Sequence, residues 1–264
     1  MVSEATPPPI WMISLTRATE RRAFVEAGFR ELGIPYEIVD AVDGSAVTSD
    51  DRRAASQTRA LLHQGRRLTE GTLGNALSHL SVYRRMLDEG LSSVVVMEDD
   101  AIPTPDLSAV LDAVASFPPD WDVVTFCTQF AWAGPTPIDD RELAGHYRLC
   151  TYQRLPYGAQ CYLVRDRAAR RLLDVGFPVA LPADDLLFRR HPAALTVYGV
   201  EPRLVVDGGF RSELVDRGRV VDLGRFPPRV LDPAIVVAGK VWRRVQRARD
   251  GRTRGSGAGA TTAE

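Results

Sequence analysis

The sequence has few of the features that mark secreted, membrane-spanning or nucleic-acid-binding proteins. Its three cysteines, Cys127, Cys150 and Cys161, are too few and odd in number for a disulfide framework, which favours free thiols in a reducing compartment. No apolar run approaches the roughly 20 residues that a membrane-spanning helix needs. The net charge is only −1, so the overall basic excess of a general nucleic-acid binder is missing and we predict no nucleic-acid partner.

The N-terminal segment lacks the basic start and the long apolar core of a secretory signal peptide. Residues 1–9 instead contain one acid and three prolines, and we predict that they form a flexible N-terminus. Together with the free thiols, this composition leads us to expect a cytoplasmic protein.

The rest of the chain has the composition of a folded α/β domain. With 264 residues and 45% hydrophobic residues it can bury a sizeable core, so we predict a single domain over residues 10–232. Apolar runs with strand character alternate with segments of helical periodicity, which predicts a mainly parallel central sheet covered by helices. The predicted strands are 10–15, 36–39, 93–97, 122–127, 160–164 and 195–200, and the predicted helices are 19–32, 48–64, 73–87 and 166–175.

The C-terminal region is predicted to have a different character. Apolar residues at spacings of four and three beside several arginines indicate a basic amphipathic helix over residues 233–250. Such a helix either docks on the domain or lies on an anionic membrane, so peripheral contact with the inner membrane face stays open. The Gly/Ala/Thr/Ser-rich segment 251–264 is predicted to be a disordered tail.

Three consecutive acids follow the clearest predicted strand. Its run Val94-Val95-Val96 does not alternate with polar residues, which is typical of a strand buried on both faces of a parallel sheet, and Glu98-Asp99-Asp100 comes directly after it. Carboxylates beside an apolar sheet need solvent or a cation to compensate them. Ligands bind outside the carboxyl ends of strands in open α/β sheets. The triplet therefore indicates either a solvated loop or a Mg²⁺ or Mn²⁺ site.

An ordered set of further motifs surrounds these acids. The preceding segment carries Leu68-Thr69-x-Gly71-x-x-Gly74-x-Ala76-x-Ser78-His79, the start of the chain carries Leu15-x-Arg17, Arg21 and Asp40-Ala41-Val42-Asp43-Gly44, and a later block reads Pro182-Ala183-Asp184-Asp185-Leu186. Over residues 10–215 this order resembles glycosyltransferase family 25, the lipopolysaccharide-type and collagen-type galactosyltransferases. The chain departs from the family pattern in having Ser14 for Asn, Thr72 for Glu and Asn75 for Cys.

The resemblance implies a GT-A type fold and a metal-dependent transfer of a hexose, with galactose favoured, from a UDP-sugar to a hydroxyl of a glycan, lipid-linked or peptide acceptor. It implies Asp100 as the direct ligand of Mn²⁺ or Mg²⁺, with Glu98 and Asp207 as further ligand candidates. It also implies donor-binding roles for a set of residues at the motif positions, which comprises Arg17, Arg21, Ser78, His79, Glu98 and Asp99.

The guanidinium forks of Arg17 and Arg21 suit a diphosphate, although Arg21 could equally be a surface charge of its helix. His79 could be a core or capping histidine. An inverting transfer needs a carboxylate base, for which Asp184 or Asp185 is the candidate, and the alternative role for either is a helix N-cap.

Two other functions fit parts of the sequence. A non-catalytic nucleotide-sugar-binding protein is compatible with the departures at Thr72 and Asn75. A haloacid-dehalogenase-like phosphatase also places acids after a buried strand and uses magnesium. Its nucleophile is an aspartate that forms an aspartyl-phosphate, so Glu98 at the first position argues against it.

Overall fold

The computed structural model describes residues 7–128, 137–152, 156, 158–188 and 195–210. The predicted basic helix at 233–250 and the tail at 251–264 lie outside these residues, as do residues 1–6 of the N-terminal segment. None of the described helices is long and apolar enough to cross a lipid bilayer.

The first half of the domain alternates strands and helices as predicted. It contains β1 (Ile10–Ser14), α1 (Thr19–Leu32), β2 (Glu37–Asp40), α2 (Ser49–Arg53), α3 (Gln57–Gln64), α4 (Glu70–Asp88) and β3 (Ser93–Glu98). The bounds of α1 agree with the periodicity because Gly33 adopts the left-handed conformation, φ 64°, that ends the helix. Helix α4 begins three residues earlier than its apolar stripe because the Thr69 side chain caps it by accepting from the Thr72 backbone N–H.

The second half is built from shorter elements. It contains β4 (Ala101–Pro103), α5 (Leu107–Asp112), β5 (Val123–Thr125), β6 (Pro137–Glu142), β7 (Arg148–Tyr152), β8 (Cys161–Arg165), α6 (Asp166–Gly176), α7 (Ala183–Phe188), β9 (Val197–Glu201) and β10 (Val205–Asp207).

Eight of the strands form one sheet, in the order β2-β1-β3-β8-β5-β9-β7-β6. Strand β1 is parallel to β2 and β3, and β5 is parallel to β9. Strand β8 runs antiparallel to its neighbours β3 and β5, and β7 runs antiparallel to β9 and β6. Six strands therefore share one direction, which confirms the predicted α/β class with a mainly parallel sheet. Strands β4 and β10 pair separately as an antiparallel ribbon.

Helices cover both faces of the sheet. Residues of α4, α6 and α7 pack on one face, together with Val94 and Val96 of β3. Residues of α1 and α5 pack on the other face, together with Val95 and Met97 of the same strand. All four of these β3 side chains are fully buried, as the unbroken apolar run predicts.

The predicted helix over residues 48–64 is wrong in one respect, because the structure has two helices there. The hydroxyls of Thr48 and Ser56 each accept from a backbone N–H three residues later and so start a separate helix. Between them, the chain turns to meet Val179, whose carbonyl accepts from the Ser56 backbone N–H at 2.8 Å. Helix α2 therefore ends where the chain pairs with Val179, more than 120 residues later in the sequence.

Candidate active site

A cavity of about 600 Å³ opens at the carboxyl ends of the parallel strands β1, β2 and β3. The first turn of α4 forms another part of its wall. Six of the ten predicted site residues line this cavity, namely Arg17, Arg21, Ser78, Glu98, Asp99 and Asp100. The topology therefore brings together residues from the start, the middle and the end of the first hundred positions.

The acidic triplet lies where β3 ends. Glu98 is the last residue of that strand, Asp99 and Asp100 form the turn after it, and β4 begins at the next residue. The β4–β10 pairing sets the backbone of Asp207 opposite Ala101, so this later candidate is near the triplet, although its side chain lies outside the described part. The Gly208 N–H donates to the Asp100 carbonyl at 2.7 Å, and a Cβ at position 208 would lie 2.9 Å from that oxygen.

Asp99 is held on both of its carboxylate oxygens. The Ser14 hydroxyl donates to Oδ2 at 2.6 Å, and Arg21 pairs with Oδ1 at 3.3 Å. Ser14 stands where the family has asparagine, and its hydroxyl still supplies a donor to this acid. Arg21 is therefore directed at the triplet and is not a surface charge of α1, which sequence reasoning could not decide.

Glu98 is held by two donors from α4. His79 Nε2 lies 3.0 Å and Asn75 Nδ2 lies 3.1 Å from the same oxygen, Oε1. Burial raises the pKa of Glu98, but the hydrogen bonds from His79 and Asn75 and the charge of Arg21 outweigh it, so this pKa lies below its ordinary value. His79 is only 1% exposed and stands behind Glu98 in a position that does not line the cavity.

The sequence analysis did not propose Asp43, Glu70 or Asn75 as site residues, although all three line the cavity. Asn75 hydrogen-bonds to the triplet. Its departure from the family pattern marked it, but nothing in the local sequence indicates a contact with an acid 23 positions later. Thr72, the other departure on α4, places its hydroxyl 2.8 Å from the Thr69 hydroxyl at the helix start.

Arg17 lies on the opposite wall and pairs with Asp43 at 2.7 Å. The hydrogen bonds that Asp43 accepts from Arg17 and Ser45 hold the pKa of this carboxyl far below its ordinary value. The pair connects the loop after β1 with the loop after β2. Both predicted arginines therefore face the cavity, each in contact with a carboxylate.

The glycines of the α4 motif bring the helix against the loop after β2. A Cβ on Gly74 would lie 2.6 Å from the Val42 carbonyl, and a Cβ on Gly44 would lie 2.6 Å from Gly71 Cα. The Ser78 hydroxyl accepts from the Val42 N–H at 2.8 Å and donates to the Gly74 carbonyl at 2.7 Å. Ser78 thus fixes the cavity wall, and the packing turns the α4 N-terminus, a favourable place for an anion, toward the cavity.

The two late acids lie in the first turn of α7 and are not part of the cavity lining. Burial, followed by the charge of Glu98, raises the pKa of Asp184, while the Asp185 backbone N–H donates to its carboxylate and partly offsets this. The effect of Glu98 places Asp184 within electrostatic range of the acidic triplet. Asp184 is the second residue of α7, so its carboxylate accepts from an N–H of the first turn without being the N-cap residue.

Over the described part of the chain, the cavity lining is rich in oxygen ligands and net negative. It contains the five carboxylates of Asp43, Glu70, Glu98, Asp99 and Asp100 and the guanidinium groups of Arg17 and Arg21. Among the residues that the structure describes, no three acidic, histidine or cysteine side chains form a ready metal cage. Mg²⁺-type ions often take only one or two protein carboxylates and complete their shell with water and phosphate oxygens. The donor chemistry therefore fits Mg²⁺ or Mn²⁺ bound together with a phosphate ligand.

Comparison with known proteins finds members of glycosyltransferase family 25. The family model described as glycosyltransferase family 25 (LPS biosynthesis protein) matches residues 7–187. A probable inactive glycosyltransferase 25 family member 3 of Rattus norvegicus is 29% identical over 198 residues, which are 69% of this chain and 33% of the relative. Procollagen galactosyltransferase 1 of Danio rerio is 33% identical over 129 residues, 44% of this chain and 20% of the relative.

Among solved structures, a glycosyltransferase involved in the glycosylation of the major capsid of PBCV-1 is 10% identical. It covers 64% of this chain and 66% of its own, with a TM-score of 0.33. The matched part of this chain spans a third or less of the length of the two relatives named above. The family model, by contrast, covers more than half of this chain and includes the whole acidic cavity. The chain belongs to glycosyltransferase family 25.

Proposed function

We propose that the chain is an active glycosyltransferase that moves a hexose, with galactose favoured, from a UDP-sugar to an acceptor hydroxyl with inversion. This proposal rests on the arrangement of one cavity. In it, an acidic triplet at a strand end faces two arginines and a helix N-terminus. This combination suits a diphosphate that enters with a divalent cation.

The charge of the cavity supports metal dependence. Five lining carboxylates against two guanidinium groups would repel a free diphosphate, so binding requires a cation to offset the negative charge. Asp100, with Glu98 and Asp207 as further candidates, would hold this Mn²⁺ or Mg²⁺. When bound, the ion supplies charge stabilisation for the leaving diphosphate.

The arginines would bind the diphosphate from the other side. Arg17 and Arg21 now contact Asp43 and Asp99, and the phosphate oxygens offer equivalent acceptors for the same guanidinium forks. The N–H groups of the first turn of α4 add donors beside them. Asp99 would remain near the donor through its hydrogen bond with Ser14.

Asp184 is the preferred base for the transfer. As the acceptor oxygen bonds to the anomeric carbon and the bond from that carbon to the diphosphate breaks, the hydroxyl proton passes to the Asp184 carboxylate. The raised pKa of this group brings it closer to neutral pH, where a general base is most effective.

The proposed acceptors are a glycan, a lipid-linked sugar or a peptide hydroxyl. A galactosyltransferase of procollagen among the relatives favours galactose as the transferred sugar. We also propose a cytoplasmic location, with the basic segment 233–250 as the element that would contact the inner membrane face if the acceptor is carried on a lipid.

A second candidate is a nucleotide-sugar-binding protein without turnover. The name of one relative states that it is a probable inactive member of the family. This chain departs from the family pattern at Asn75, which lines the cavity, and at Thr72 in the first turn of α4. In that case UDP-sugars would bind together with Mn²⁺, but no UDP would be released.

Release of UDP from a panel of UDP-sugars, with Mn²⁺ and with excess EDTA, tests both candidates. We expect slow metal-dependent release that Asp100→Asn lowers by at least about 10²-fold, because a ligand of the ion is lost. Asp139→Asn, on the exposed strand β6, is the matched control and should keep full activity. Unchanged activity in EDTA would remove the metal assignment, and tight binding with no release in any variant would favour the non-catalytic protein.

A further inference from the structure

We propose that a buried chain of hydrogen bonds, Tyr83–Tyr162–His79, acts with Asn75 to position the Glu98 carboxylate at the cavity wall. The inference rests on the proposed function only for the identity of the ligand that Glu98 faces. None of the four residues is a catalytic residue in this account, because each acts through Glu98.

The chain is continuous and almost completely buried. The hydroxyls of Tyr83 and Tyr162 lie 2.6 Å apart, the Tyr162 hydroxyl lies 2.7 Å from His79 Nδ1, and His79 Nε2 lies 3.0 Å from Glu98 Oε1. Both tyrosines are fully buried. Three different elements supply these groups, α4, β8 and β3.

The spacing on α4 explains why the chain forms. Asn75, His79 and Tyr83 follow one another at intervals of four residues, so they lie along one face of the helix. Tyr162 pairs with Val96 in the β3–β8 register, two residues before Glu98 on that strand. The sheet thus sets the second tyrosine beside the helical row, between His79 and Tyr83.

An ionised Glu98 carboxylate and a neutral His79 ring together define the direction of every hydrogen bond in the proposed chain. An ionised carboxylate only accepts, so His79 Nε2 must carry a proton and donate to Glu98. In the neutral ring Nδ1 is then the acceptor of the Tyr162 hydroxyl proton, and the Tyr162 oxygen accepts from Tyr83.

The arrangement has a consequence for the cavity. His79 and Asn75 both donate to Oε1, so Oε2 is the oxygen that remains for a ligand. Phenylalanine would fill the apolar space around positions 83 and 162 as well as tyrosine does, without buried hydroxyls that need partners. The specific effect of these hydroxyls is to hold the His79 ring through Nδ1, so that its Nε2–H stays directed at Glu98.

The test compares Tyr162→Phe with Tyr147→Phe. Tyr147 is also buried and donates to a carboxylate, Asp106 Oδ2 at 2.9 Å, but it packs on the opposite face of the sheet. Calorimetric titration with UDP and Mn²⁺ should give a Kd about 10-fold weaker for Tyr162→Phe, since partners of this kind contribute about 10- to 100-fold to affinity. Tyr147→Phe should bind like the unmodified protein. Tyr83→Phe is a milder second variant, because it removes only the hydrogen bond between the two tyrosines, and it should weaken the affinity less.

A second measurement does not depend on the ligand. Nitrogen-15 NMR of the histidine rings, with the His79 signals assigned by their absence in His79→Gln, should show His79 protonated on Nε2 alone. The Nδ1 signal should shift in Tyr162→Phe, because Nδ1 loses its hydrogen-bond donor. A protonated or Nδ1–H ring, or equal affinities in Tyr162→Phe and Tyr147→Phe, would overturn the inference. If the unmodified protein binds no UDP with either metal, the proposed function fails, while the ring signals still decide the hydrogen-bond chain.

Discussion

Among single residues, Asp184 has the surroundings that best suit a general base. It lies in the first turn of α7, and its pKa is raised first by burial and further by the charge of Glu98. Burial beside an acidic site moves a carboxyl group toward the range in which it can exchange protons at neutral pH. The raised pKa is the reason to test Asp184 first among the two adjacent acids.

We predict that Asp184→Asn lowers the turnover of sugar transfer by about 10²- to 10⁴-fold, because the amide cannot accept the proton of the acceptor hydroxyl. The affinity for UDP with Mn²⁺ should change little, since neither residue lines the cavity. Asp185→Asn should retain transfer and alter unfolding free energy by no more than about 1 kcal/mol.

Steady-state UDP release with acceptor present, together with a melting curve for each variant, measures these effects. If both asparagine variants transfer sugar as fast as the unmodified protein, the base is a different residue.

At the scale of elements, α4 organises more of the candidate site than any other described segment. Its first turn reaches the cavity, its glycines bring it against the loop after β2, and Asn75 and His79 hold Glu98. Glycine lowers helix stability by about 1 kcal/mol relative to alanine, so two glycines in the first turns need a compensating gain. Without a Cβ at these positions, the helix packs directly against the backbone of Val42 and Gly44, and this packing is the compensating gain.

Gly74→Ala is expected to destabilise the protein by about 1–3 kcal/mol, although alanine is the better helix former. The added Cβ would lie 2.6 Å from the Val42 carbonyl, so the loop that carries Asp43 must move, and UDP should bind more weakly. Gly28→Ala in α1 is the matched control, because the added Cβ would meet no atom within 4 Å. This substitution should raise the free energy of unfolding by up to about 1 kcal/mol. Urea unfolding of both variants tests this, and equal stabilities would mean that the close approach is not strained.

For the whole molecule, several carboxyl groups have pKa values lowered by partners in the folded state. They are Asp40, Asp43, Asp51 and Glu98, while Asp184 shifts in the opposite direction. Around pH 4, the unfolded chain binds protons that the folded protein excludes from the first four groups. Their stabilisation is complete above that pH and is lost as the pH falls through the lowered folded values.

The melting temperature should therefore fall as the pH is lowered from about 5 to 3. Asp43 should be a main contributor, because its pKa is lowered more than that of Asp40 or Asp51. Asp43→Asn removes both the Arg17 pair and the titrating group, so it should melt lower at pH 6 and lose less on acidification. Melting curves across this range for the two proteins make the comparison. If the melting temperatures of the two proteins fall by the same amount between about pH 5 and 3, Asp43 does not contribute to the acid sensitivity.

Local pattern was enough for much of the fold. The periodicity and the glycine stop predicted α1, and the unbroken apolar run predicted β3 and its burial on both faces. The sequence analysis did not predict β4, β6, β7 and β10. Strands β4 and β10 have three residues each and β6 is exposed along its length, so their own residues carry little signal and they form through pairing. Strand β7 is longer and mostly buried, and the sequence analysis missed it.

Residue type, spacing and motif order were sufficient to predict the α/β class, the family, and the roles of Arg17, Arg21 and the acidic triplet as cavity residues. Which groups meet follows from tertiary packing alone: Ser14 with Asp99, 85 positions apart, Asn75 and His79 with Glu98, and Tyr162 with His79. Hydrogen bonds act over about 3 Å, and the distance between two side chains depends on sheet order and helix packing, which no local pattern encodes.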